Sequence, residues 1–299
     1  MTYAFHVLIF LEIYIILVLA LNLIVGYCGM FSLAHSAYFA IGAYVYAVLT
    51  TAYGVGFAPA LLVAVAMGAA LSVLLSLPSW RLRGDFFLLI TLAAQAVIFS
   101  SIYNWGDITL QLGSLPNLTN GPYGIGGVPG PRFFSDVLAP VEQIAVVGFA
   151  CVCAVVWTLR LLDRSAWGRM LRAMRDDELA LRNLGKNVRV VKAQALALAC
   201  ATATIGGVIY AAYAGYVDPA ICSVEDSVLL LGAVVIGGPG TVRGAVVGAT
   251  LVVMIPEVFR ALDLPATATA NIRLGLFGLL MVLLVHFRPS GLMGRVAVE

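Results

Sequence analysis

Apolar residues run along this chain in stretches long enough to cross a lipid bilayer, separated by short polar or glycine-rich breaks. A hydrocarbon core takes about 20 mostly apolar residues per helical crossing. Windows of that kind fall at residues 7–25, 33–52, 60–77, 86–105, 144–162, 193–213 and 272–287. The stretch 227–259 is apolar as well, but Gly237-Gly238-Pro239-Gly240-Thr241-Val242-Arg243-Gly244 interrupts it. Glycine and proline that dense break a helix, so two shorter membrane segments are expected to face each other across the break. The pattern predicts an all-α polytopic membrane protein of about eight to ten transmembrane helices. They form a single transmembrane domain over residues 1–299.

Composition agrees: 62% of residues are hydrophobic and 11% charged, against roughly 25% charged in soluble domains. No Lys or Arg precedes Arg81, and most of the others cluster between Arg160 and Lys192. Basic residues beside apolar spans mark the cytoplasmic side. Arg81 and Arg83, the segment 163–192, and Arg288 with Arg295 are therefore expected in the cytoplasm, and the Gly- and Pro-rich segment 106–143 outside. Parity then gives about nine segments with the N-terminus outside. The same reasoning argues against a nucleic-acid partner. The first apolar segment lacks a basic n-region and a small-residue cleavage site, so it reads as a retained span.

The segment 163–185 is the most informative. Trp167, Met170, Leu171 and Met174 recur at i, i+3, i+4, i+7, with Arg169, Arg172 and Arg175 on the other faces, which predicts an amphipathic helix. Asp176 or Asp177 can cap a second short helix with Glu178 in its first turn and Leu181 and Leu184 as its apolar face. Gly185 is placed to stop it. Such a pair could receive a soluble motor, with Arg172 and Arg175 facing that motor or lipid, or could lie on lipid headgroups.

Polar residues inside apolar spans are functional candidates by default. On that ground Asn22, Ser32, His35, Tyr44, Thr91 and Gln95 are candidates for a translocation pathway. Gly26, Gly29, Gly237, Gly238 and Gly240 mark broken helices, which either pack closely or open backbone groups to a central pathway. The five cysteines carry no C-x-x-C pair and no His at ligand spacing, so they read as packing residues and no metal site is expected. No catalytic constellation and no G-x-x-x-x-G-K-[ST] phosphate loop is present, so the chain is not expected to be an enzyme or to hydrolyse ATP itself. A secondary carrier would need several carboxylates or histidines facing one cavity, and the spans offer few.

Five blocks resemble the permease subunits of branched-chain amino acid ABC importers, of the LivM type. They are Gly26 to Tyr44 (G-Y-C-G-M-F-S-L-A-H-S-A-Y-F, then I-G-A-Y), Leu82 to Ala93 (L-R-G-D-F-F-L-L-I-T-L-A), Leu118 to Ile125 (L-T-N-G-P-Y-G-I), the segment containing Gly168-Arg169, Arg172-Ala173, Glu178, Ala180 and Gly185, and Ile236 to Gly244 with the terminal Arg288-Pro289-Ser290-Gly291-Leu292. Met30 stands where the family usually has Gln, Ala34 where it has Gly, and Pro239 interrupts the usual G-G-L-G. The resemblance implies a type II ABC importer in the bacterial inner membrane. It also implies a second, LivH-like permease, two ABC ATPases holding ATP and Mg, and a periplasmic solute-binding protein, with no cofactor on this chain. It makes Arg172, Asp177, Glu178, Ala180 and Gly185 ATPase-coupling residues in a cytoplasmic coupling loop over 163–192. Branched-chain amino acids lead as substrate, with urea, short amides, other amino acids and small aromatic acids as alternatives.

Overall fold

A computed structural model describes residues 2–80, 82, 84–107, 109–131 and 139–260, together with 275, 278, 279, 282, 287 and 291–294. The expected span at 272–287 and the basic residues Arg81, Arg83, Arg288 and Arg295 lie outside the described residues or only partly within them. The helices are α1 (Thr2–Asn22), α2 (His35–Thr51), α3 (Phe57–Ser79), α4 (Asp85–Asn104), α5 (Pro140–Arg164), α6 (Ala166–Asp176), α7 (Glu178–Asn183), α8 (Val188–Ala214), α9 (Val224–Gly237) and α10 (Val242–Arg260). A π-helical turn, Leu23–Tyr27, continues α1. Among the described residues the only sheet is the two-residue pair β1 (Ile125–Gly126) with β2 (Tyr216–Val217).

Among the described residues, five helices are long and apolar enough to cross a membrane: Tyr3–Tyr27, Phe57–Ser79, Asp85–Asn104, Pro140–Arg164 and Val188–Ala214. Burial sorts them. In the apolar 18-residue stretch of the first and last, 72% and 78% of residues are buried, against 33%, 22% and 28% in the other three, so α1 and α8 form the centre and α3, α4 and α5 the rim. The rim turns Leu62, Leu74, Phe86, Val97, Phe149 and Trp157 outward, a continuous apolar exterior that only lipid or protein can cover. The fold is that of an all-α, multi-pass membrane protein.

The centre closes because small residues let backbones touch. A methyl group on Gly207 of α8 would lie 2.0 Å from the Phe39 carbonyl oxygen of α2. In the pair α9 and α10, one on Gly248 would lie 2.0 Å from the Ala233 carbonyl oxygen. The expected break within 227–259 falls between these two helices.

At 17 and 14 residues, α2 and α9 are too short for a core of about 30 Å at 1.5 Å per residue. Both start inside the bundle, where their N-terminal ends meet: the Ser36 amide donates to Ser227 Oγ (3.2 Å) and the Ser36 hydroxyl to the Ser223 carbonyl (2.7 Å). From that meeting point α2 runs toward the loop after α4, where Tyr53 donates to the Gly113 carbonyl (2.7 Å), and α9 toward Gly240, against which Arg175 of α6 lies.

The segment expected to be a loop over 106–143 ends earlier, because residues 140–143 form the first turn of α5 with Pro140 at its N-terminal position. Its described part is a packed cap rather than a loose connection. Trp105 donates to the Leu115 carbonyl (2.7 Å), Thr119 to that of Ile102 (2.6 Å) and Tyr46 to that of Pro129 (2.6 Å). Asn120 takes φ 59° and its amide donates to the Gly124 carbonyl (2.8 Å), which uses the tolerance of asparagine for the left-handed region.

Candidate functional site: the helix breaks, the cavity between them and the α6–α7 hairpin

The meeting point of α2 and α9 is tied down by α4. Gln95 donates to the Ser36 hydroxyl (2.8 Å) and accepts from that of Ser227 (3.0 Å). One turn earlier, Thr91 accepts from the Leu33 amide (2.9 Å) just ahead of α2. All four side chains are buried, as are those of Ser32 and His35. Ser32 Oγ accepts from the Ala34 amide (3.4 Å). The Tyr44 hydroxyl, His35 Nε2 and both carboxylate oxygens of Glu12 have no hydrogen-bond partner among the described residues.

Beside this knot lies a cavity of about 200 Å³, walled by Ile13, Leu17, Phe39 and Leu230, with Tyr14, Tyr210, Ser36 and Asp226 as its polar edge. Ser223 caps α9: its Oγ accepts from the Asp226 amide (3.0 Å), and its hydroxyl donates to the Asp226 carboxylate (2.7 Å). None of Asn22, Ser32, His35, Tyr44, Thr91 and Gln95 lines the cavity. Ser32, His35, Thr91 and Gln95 lie at the helix starts that shape it, whereas Asn22 ends α1 and Tyr44 lies farther along α2. Asp226 escaped the sequence reading, although Ser223-x-x-Asp226 ahead of an apolar run is a capping-box signature and a carboxylate beside a span is a functional signal.

The two breaks touch. Asn22 Oδ1 accepts from the Gly240 amide (2.9 Å) and its Nδ2 donates to the Thr241 carbonyl (3.1 Å). A methyl group on Gly26 would lie 2.2 Å from the Gly240 nitrogen. Gly29 and Gly240 take φ 69° and 81°, so both turn the chain where a side chain would strain it. Gly237 packs on Gly244, and Gly238 on Gly294 at 2.1 Å from an added methyl. The segment Gly291–Gly294 straps this second break, with the Leu292 and Met293 amides donating to the Ile236 and Gly237 carbonyls (both 3.0 Å).

The hairpin α6–α7 forms as its local pattern dictates. Ser165 caps α6 by accepting from the Gly168 amide (3.2 Å), and Leu171 and Met174 are buried. Asp177 caps α7, accepting from the Leu179 and Ala180 amides (2.8 and 3.0 Å). Gly185, at φ 73°, ends it in a Schellman motif: its amide donates to the Arg182 carbonyl (2.9 Å) and that of Lys186 to the Leu181 carbonyl (3.3 Å). Arg172 is ion-paired with Asp163 at the end of α5. Glu178 pairs with Lys192 (3.0 Å) and Arg182 (3.4 Å), and Lys192, 6% exposed, also donates to the Ser79 carbonyl at the end of α3 (3.2 Å).

Two details of the hairpin depart from the expected pattern. Leu184, expected on the buried face of α7, is 75% exposed, because the C-terminal turn carries it past the last helical contact. Arg175, expected to face a motor or lipid, turns inward: its side chain is 15% exposed and its guanidinium donates to the Gly26 carbonyl. Leu179, 59% exposed, joins Ala180 and Leu184 on the outer surface of the hairpin.

Residues 3–285 match the family described as "Branched-chain amino acid transport system / permease component". The chain belongs to this family. It is 32% identical to the high-affinity branched-chain amino acid transport system permease protein LivM of Escherichia coli K12, over 94% of this chain and 68% of that protein. It is 27% identical to LivH of the same organism, over 96% of this chain and 92% of that protein. It is 26% identical to the probable LivM of Methanocaldococcus jannaschii, over 78% of this chain and 67% of that protein. No solved structure matches the chain. As a transport permease component it is a membrane-embedded translocator and not an enzyme.

Proposed function

We propose that this permease is the LivM-type subunit of an ATP-driven importer in a bacterial inner membrane and carries branched-chain amino acids. A LivH-like permease completes the membrane part, two ABC ATPases hold ATP and Mg, and a periplasmic binding protein delivers the solute. In this reading the segment 163–192 is the cytoplasmic ATPase-docking loop and the segment 106–139 faces the periplasm. The outer surface of the hairpin carries the proposal. Leu179 and Leu184 stand 59% and 75% exposed on an element that carries Arg169, Arg172, Arg175 and Arg182, with Glu178 turned to Lys192 and Arg182. An apolar patch rimmed by charge at a water-facing end is a protein-docking surface. Its basic surround is that of a cytoplasmic face.

The cavity favours branched-chain amino acids over urea and amides. Ile13, Leu17, Phe39 and Leu230 offer a surface for an aliphatic side chain, and the Asp226 carboxylate an acceptor for an ammonium group. A urea-sized solute would leave most of that apolar wall without a partner.

The test is ATP-dependent leucine uptake in vesicles holding the assembled transporter. Leu184→Glu is expected to release the ATPases from the permease pair and abolish uptake. Asp226→Asn is expected to keep the assembly and raise the KM for leucine about tenfold, the order of a lost charge-assisted hydrogen bond. Uptake that continues without ATP would overturn the reading in favour of a secondary carrier.

A further inference from the structure

The sequence around Gly26 leaves a carbonyl to be satisfied. At the end of α1 the Ile24 and Val25 carbonyls accept from the Met30 and Gly29 amides (3.1 and 3.2 Å), but the chain leaves the helix at Cys28. The last carbonyls of a helix need partners from elsewhere. The Gly26 carbonyl takes the Arg175 guanidinium.

Arg175 lies four residues after Leu171 and so shares its buried face. Glycine clears its route: a methyl group on Gly29 would lie 2.6 Å from Arg175 Cγ, and one on Gly240 would lie 3.5 Å from its Nη1. Its head therefore sits where the two breaks meet: it holds the Gly26 carbonyl, the Asn22 side chain lies against Gly26, and Asn22 bonds Gly240 and Thr241. Each break continues into a helix of the cavity wall. The first leads to α2 with Ser36 and Phe39, and the second closes α9, which carries Asp226 and Leu230.

The hairpin is fixed differently on its other side, where Glu178 and Lys192 hold it to α3 and α8. Between these anchors, a cavity of about 300 Å³ separates the tip Asp176–Leu179 from Cys28, Gly29, Met30, Leu82 and Phe87. The hairpin thus has room to tilt about the Lys192 anchor. Such a tilt would draw Arg175 and leave the α3–α8 side in place.

We propose that Arg175 is the positioning residue that transmits movement of the α6–α7 hairpin to both helix breaks, and through them to α2 and α9 around the cavity. The proposal rests on the reading of the hairpin as the ATPase-docking element. Its chemistry is specific: a guanidinium can hold the Gly26 carbonyl while its planar head lies against Gly240, whereas a lysine offers a single ammonium on a flexible stem.

The experiment uses the assembled transporter with its binding protein and compares ATP hydrolysed with leucine taken up, for wild type, Arg175→Gln and Arg175→Lys. The expected result is hydrolysis within about twofold of wild type and uptake at least tenfold lower in Arg175→Gln, with Arg175→Lys between the two. Uptake and hydrolysis falling in equal proportion, or neither falling, would overturn the proposal. If Arg175→Gln fails to assemble, Asn22→Ala decides. It breaks the same chain of contacts beyond Arg175 and should show the same excess of hydrolysis over uptake, whereas coupled transport in that variant overturns the proposal. Failure of the docking reading looks different: wild type itself would take up leucine without ATPases, or the ATPases would not bind it.

Discussion

The two breaks solve one problem, a helix interrupted inside an apolar bundle, with different materials. The first, from Leu23 to Ala34, is held by side chains arriving from other elements: Arg175 of α6 on the Gly26 carbonyl and Thr91 of α4 on the Leu33 amide. The second, from Gly237 to Thr241, takes one side chain from outside, Asn22 on Gly240 and Thr241, and is otherwise held by backbone against backbone. Glycines press on glycines there, and the Gly291–Gly294 strap supplies two amides to its carbonyls. A side-chain hydrogen bond can follow a shift by changing rotamer, but backbones in contact move together or separate. The first break is thus the compliant one, and the second travels as a unit with α9 and α10.

The widest difference should appear when a methyl group is added to each. Gly237→Ala puts it 2.1 Å from the Gly244 carbonyl oxygen, with no flexible side chain to give way. A loss of about 3 kcal/mol is expected, the upper part of the range for overpacking, seen as a lower Tm in detergent and a reduced yield of folded protein. Gly29→Ala meets the movable Arg175 stem and pays mainly for its positive φ, about 1–2 kcal/mol. A larger loss at Gly29 than at Gly237 would reverse the assignment of rigid and compliant breaks.

A middle-sized effect is expected at the knot where the two broken elements meet. Gln95→Leu removes the bonds to Ser36 and Ser227 but leaves those two hydroxyls bonded to each other (2.9 Å). About 1–2 kcal/mol should be lost, read as the shift of thermal unfolding. A loss below about 0.5 kcal/mol would mean that the serines alone hold α2 to α9.

How far this was legible follows from the range over which each feature is encoded. The described spans, the break at Gly237-Gly238-Pro239-Gly240, the Asp177 cap and the Gly185 stop are written in patterns a few residues long, and local physics reads them. The partners are not local. Gln95 and Ser227 are separated by 132 residues and Arg175 and Gly26 by 149, and no periodicity reports on such pairs. Arg175 shows the cost: an arginine on an amphipathic helix is assigned outward by default. Its inward turn depends on a free carbonyl and two glycines from distant segments. Leu184 shows the converse, since its spacing from Leu181 suits a buried face while the Schellman turn carries it outward.

The smallest effect separates the breaks by their access to water. Thr91 is wholly buried and its hydroxyl is the acceptor for the Leu33 amide. Thr91→Val leaves that amide unpaired inside the bundle, at a cost of about 1 kcal/mol. Thr241 also carries two bonds, from the Gly244 amide (2.9 Å) and to the Met293 carbonyl (3.0 Å), but its hydroxyl lies at the accessible edge of the second break. Water can take over both partners there, and the strap amides and packed glycines remain in place. Thr241→Val should therefore cost less than Thr91→Val, under about 0.5 kcal/mol, in paired unfolding curves of the two variants. Equal losses would show that the second break depends on the Thr241 side chain as the first does on Thr91, and the contrast between a compliant and a rigid break would fail at its finest point.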